Sequence, residues 1–74
     1  GMKREDLIKW KQSSAREVQD QIRALREQAY GVRHQVRLGQ TRNHAILRTI
    51  RRDIARLETI LRQKRTTAGA DHAQ

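Results

Sequence analysis

The side chains that can do chemistry in this chain are its arginines, thirteen against four lysines. Five of them, Arg48, Arg51, Arg52, Arg56 and Arg62, recur with a helical period. At about 100° per residue they span an arc of about 140°, opposite Leu47, Ile50, Ile54, Leu57 and Leu61. Arg16, Arg23, Arg26, Arg33 and Arg37 form a second stripe upstream, with Glu17, Asp20 and Glu27 on its far side. A charge run is most often a solvated face, but such faces mix signs. Here one sign dominates, and arginine is chosen over lysine. The planar guanidinium matches phosphate bidentately and stacks on bases, where lysine offers a point charge. The chemistry indicated is phosphate contact.

Other chemistries find no residues. His34, His44 and His72 share no i,i+4 spacing, so no metal site is expected. Eight scattered acids build no paired-carboxylate site, and there is no Ser/His/Asp arrangement and no glycine-rich phosphate loop. Neither an enzyme nor a cofactor or small-molecule substrate is expected. Trp10 and Tyr30 are the only large aromatics, too few to read single-stranded RNA base by base. Recognition of folded RNA through shape and backbone fits better.

The elements that must position these arginines are short of core. Seventy-four residues make one small domain at most, marginal alone and in need of a partner surface. Cysteine, phenylalanine and proline are absent, so the core is aliphatic and thin. The net charge of +9 points to an anionic partner, nucleic acid before membrane surface. It is uneven: residues 1–27 carry +2 and residues 28–74 carry +7. No apolar run reaches membrane-spanning length, and residues 1–12 lack the apolar segment of a signal peptide. The expected compartment is the cytoplasm, or an organelle matrix after removal of a transit peptide. Gly1 before Met2 reads as the scar of a cleaved tag.

The expected fold is all-α: an antiparallel two-helix hairpin, with room for a short N-terminal helical turn over residues 3–11. Ser14 with Glu17 fits a capping box and opens the first long helix. Its Val18, Ile22, Leu25, Ala29, Val32 and Val36 follow the spacing of a helix–helix seam. Gly31 inside it is either a close backbone approach or simply tolerated. Gly39 suits a left-handed cap, and Asn43 an N-cap for the second helix. That helix carries Leu47, Ile50, Ile54, Leu57 and Leu61, flanked by Ile46 and Ile60. Asp53 is placed to pair with Arg56, and Glu58 with Arg62. The domain is expected to cover residues 2–65, with residues 66–74 a disordered tail.

Gly39-Gln40, Asn43-His44-Ala45 and Ile50-Arg51-Arg52-Asp53-Ile54-Ala55-Arg56 together resemble a known family, bacterial large-subunit ribosomal protein twenty-nine. That family has a Gly-Gln turn, an Asn followed by Pro or His, and a motif close to V-R-R-D-I-A-R. Tyr30-Gly31-Val32-Arg33-His34-Gln35 parallels its F-N-L-R-x-Q, and Met2-Lys3-Arg4-Glu5-Asp6-Leu7 its M-K-x-x-x-L opening. The likeness spans about residues 2–65. Tyr30 replaces the usual Phe, Gly31 a helix former, and residues 12–17 only loosely follow the family's S-x-E-E-L stretch. The resemblance implies an α-hairpin that binds large-subunit rRNA near the nascent-chain tunnel exit. It also implies a neighbouring tunnel-rim protein, and proximity to chaperone or targeting factors.

On this reading the phosphate and sugar contacts are Arg33, Arg37, Gln40, Arg42, Asn43, Arg48, Arg51, Arg52 and Arg56. Lys3 and Arg4 add an N-terminal contact, and the family motif adds Gln35 and His44. Two rivals stand beside it. One is a coiled-coil adaptor that dimerises through the 18–36 and 47–61 seams. The other is a membrane-surface helix, which would want more large apolar residues and lysine than are present.

Overall fold

The structure is a computed structural model describing the backbone of residues 2–73 and the side chains of residues 2–67. Three helices make up the described chain: α1 (Arg4–Gln12), α2 (Ala15–Arg37) and α3 (His44–Ala73). The described chain is all-helical as expected, but it has three helices where a two-helix hairpin was expected, because the N-terminal turn is a full nine-residue helix.

Each boundary has a local cause. At the start of α1 the Asp6 carboxylate accepts the Lys3 backbone N–H at 3.3 Å. The link to α2 is Ser13-Ser14. Ser13 closes α1 by donating its hydroxyl to the Lys9 carbonyl at 2.9 Å. Ser14 opens α2, its Oγ accepting the Glu17 N–H at 3.1 Å. The other half of the expected capping box differs: the Glu17 carboxylate accepts the Ser14 hydroxyl rather than a backbone N–H.

The α2 end is a Schellman turn. Gln40 N–H donates to the Gln35 carbonyl at 2.8 Å and Gly39 N–H to the Val36 carbonyl at 3.1 Å. That turn requires a left-handed residue, and Gly39 supplies it at φ 72°. α3 continues to Ala73. Gln74 lies outside the described residues.

α2 and α3 run antiparallel: Arg26 meets Glu58, while Arg33 lies beside Arg51 and Arg23 beside Arg62. Between them sits a core of Val18, Ile22, Leu25 and Ala29 against Ile50, Leu57, Ile60 and Leu61. The seam needed by a dimerising adaptor is therefore closed within one chain.

α1 runs parallel to α3. Met2 lies beside Asp53 and Arg56, and the Lys11 carbonyl accepts from Lys64 Nζ nine residues later. Leu7 and Trp10 of α1 pack onto the core. α1 thus follows the Asp53–Lys64 stretch of α3, which explains why Ile60 is buried while Ile46, beyond its reach, is 45% exposed. No helix of the described residues is long and apolar enough to cross a membrane.

Candidate nucleic-acid interface

The thirteen residues expected to touch RNA are all exposed except Arg33, which is half-buried. The fold sorts them into three places. The first is the hairpin tip, where Arg37, Gln40, Arg42, Asn43 and His44 surround the Gly39 turn. Here backbone geometry engages part of the set. Asn43 Oδ1 accepts the Ile46 N–H at 3.3 Å, which makes Asn43 the helix cap it was expected to be. The Gln35 carbonyl closes the turn, while its side chain is exposed. Arg48 stands about one turn into α3 from the tip.

The second place is the mouth of the groove between α2 and α3. Arg33 and Arg51 line a cleft of about 160 Å³ together with Arg26, Ala29, Tyr30 and Ile54. The Arg33 guanidinium lies 5.7 Å from the centre of the Tyr30 ring, and Tyr30 is 63% exposed. Two cationic forks and an open aromatic face thus converge from different helices.

The third place is the α1 flank. The Arg56 guanidinium donates to the Met2 carbonyl at 3.1 Å, while Asp53 Oδ1 accepts the Met2 N–H at 3.1 Å. These contacts replace the expected Asp53–Arg56 ion pair. Arg56 accordingly has a structural duty besides any contact with RNA. The same contacts bring Lys3 and Arg4 next to the Arg56 turn, and Arg52 is exposed on α3 a turn earlier.

A second pairing also differs from expectation. Glu58 meets Arg26 across the hairpin, not Arg62 along its own helix, and this is the one ion pair among the described residues. The facing helix brings Arg26 within reach of Glu58, and only the antiparallel register reveals it. That register also exposes arginines absent from the thirteen. Arg23, Arg26, Arg62 and Arg65 line a larger cleft of about 710 Å³, with Glu58 the one acid among its lining residues. Arg23, Arg26 and Arg62 belong to stripes visible in the sequence and Arg65 to neither, and nothing in either stripe alone says that the two converge. No group of His, Asp or Glu among the described residues is placed to hold a metal ion.

The family model for ribosomal L29 protein matches residues 9–64. The chain belongs to the ribosomal L29 family. The family is structural, not enzymatic. Its curated relatives include the large ribosomal subunit protein uL29 of Geobacillus sp. (strain WCH70), 41% identical over 54 residues, covering 73% of this chain and 79% of the relative. The uL29 protein of Geobacillus stearothermophilus is 40% identical over 52 residues, covering 70% and 79%. That of Listeria welshimeri is 43% identical over 51 residues, covering 69% and 81%. No solved structure matches the chain. The matched stretch contains every candidate RNA contact except Lys3 and Arg4.

Proposed function

We propose that this L29-family chain is a structural constituent of the large ribosomal subunit in the cytoplasm. It binds subunit rRNA near the exit of the nascent-chain tunnel. There it sits beside another tunnel-rim protein and within reach of chaperone or targeting factors. The observation that carries the reading is the family match over residues 9–64, which encloses the arginine tract. The charge fits: +9 overall, with arginines displayed on the tip, the groove and the α1 flank. Arg33, Arg37, Arg42, Arg48, Arg51 and Arg52 take phosphates, which fix register without reading base sequence.

The test is twofold. The chain is expected to stay with large ribosomal subunits through a high-salt wash. Arg51→Ala/Arg52→Ala is expected to weaken binding to purified large-subunit rRNA and to flatten log K against log salt by roughly 0.7–0.9 per lost contact. An unchanged affinity and slope in that variant counts against the reading.

A further inference from the structure

We propose that the α2–α3 groove on the side away from α1 is a second RNA-backbone track, in which Arg23, Arg62 and Arg65 take phosphates. The proposal rests on the rRNA-binding reading above and adds a surface to it. On the α3 wheel, Asp53, Ile60 and Lys64 lie to one side of Leu57, and Ile54, Glu58 and Arg65 to the other. α1 occupies the first side, as its contacts with Asp53, Arg56 and Lys64 record. The second side is open and forms the wall of the clefts.

The two clefts share Arg26, so they make one groove from Arg33 and Arg51 at the tip end to Arg23 and Arg65 at the other. On α3, from Arg51 to Arg65, this is fourteen residues of helix, roughly 20 Å at 1.5 Å each. Its one acid, Glu58, is already paired with Arg26. The remaining guanidinium groups face the groove from both walls, so an anion lying in it meets donors on either side.

The floor decides which polyanion fits. An acidic amphipathic helix docks through apolar anchors. In the larger cleft, where Arg23, Arg62 and Arg65 stand, the apolar floor residues Ile22 and Leu61 are only 4% and 8% exposed, so they offer such a helix little surface. A phosphodiester strand needs no apolar floor, only forks at its oxygens.

The experiment measures binding of the full chain to purified large-subunit rRNA across a salt series, with helicity checked by circular dichroism. Arg23→Ala/Arg62→Ala/Arg65→Ala is expected to weaken binding about tenfold or more and to flatten the salt slope by roughly 2–3. Glu58→Gln frees Arg26 and removes the groove's acid. It is expected to tighten binding and steepen the slope by roughly 0.7–0.9, a gain that misfolding cannot mimic. Wild-type binding in the triple variant, with loss in Arg51→Ala/Arg52→Ala, overturns the groove and leaves the rRNA reading standing. Wild-type binding in both variants defeats the rRNA reading and the groove with it. If the triple variant keeps rRNA but loses polyglutamate, the groove takes acidic protein and the proposal fails.

Discussion

Two glycines face opposite demands. Gly39 sits at φ 72°, and a Cβ added there meets nothing within 4 Å. Space is not its constraint; backbone conformation is. Gly39→Ala is expected to cost about 1–2 kcal/mol, the penalty of a left-handed L-residue, with Gly39→Asn milder. Gly31 lies inside α2 with open space where its Cβ would be, which removes the close-approach reading. Gly31→Ala is expected to stabilise by about 0.5–1 kcal/mol, because only the entropic cost of glycine is lifted. Urea midpoints of the two variants should therefore move in opposite directions; movement in the same direction contradicts this account. Such features are legible in a sequence because the cause lies within a few residues: Ser14 caps with Glu17, Gly39 turns, and Asn43 caps Ile46. Glu58 was not legible in the same way, since its partner Arg26 is 32 residues away.

At the scale of elements, the α2–α3 seam was readable and the role of α1 was not. Val18, Ile22, Leu25 and Ala29 repeat at helical spacing, and that period alone puts them on one buried face. Ile46 and Ile60 sit at the two ends of the α3 pattern and look equivalent on a wheel. Which one is buried depends on where α1 lies, and α1 has no long periodicity of its own to announce its docking. Its attachment rests on Met2, Leu7, Trp10 and the Lys64 contact with Lys11. Deleting residues 2–12 is expected to uncover Ile60 and Leu57 and to lower the melting temperature markedly. By comparison Leu57→Ala, at a fully buried position, should cost about 2–5 kcal/mol. Domains have only about 5–15 kcal/mol in all, and small ones sit low in that range. Leu57→Ala should then populate the unfolded state near room temperature, as helicity against temperature would reveal. A melting curve unchanged by the α1 deletion would mean that α1 does not shield the core.

At the scale of the whole molecule, charge and shape pull against each other. The chain carries +9 and measures 54 × 22 × 14 Å, with one ion pair among its described residues. At about 0.01 M salt the Debye length is about 30 Å, longer than the two shorter dimensions, so like charges on different helices repel almost unscreened. At about 0.15 M it falls to about 8 Å and most of that repulsion is gone. Net charge far from zero destabilises a compact state by self-repulsion. The free chain is therefore expected to melt several degrees higher at about 0.15 M than at about 0.01 M salt. Its affinity for rRNA should fall over the same range, because counterions displaced from the phosphates gain less entropy on release into more concentrated salt. The two responses have opposite signs from one cause: the charge that loosens the free chain is what a polyanion neutralises. At low salt, added rRNA should thus raise both helicity and melting temperature, and the gain should shrink as salt rises. A free-chain melting temperature that falls with salt would mean that attractive pairs outweigh repulsion, and this coupling between charge and folding would not hold.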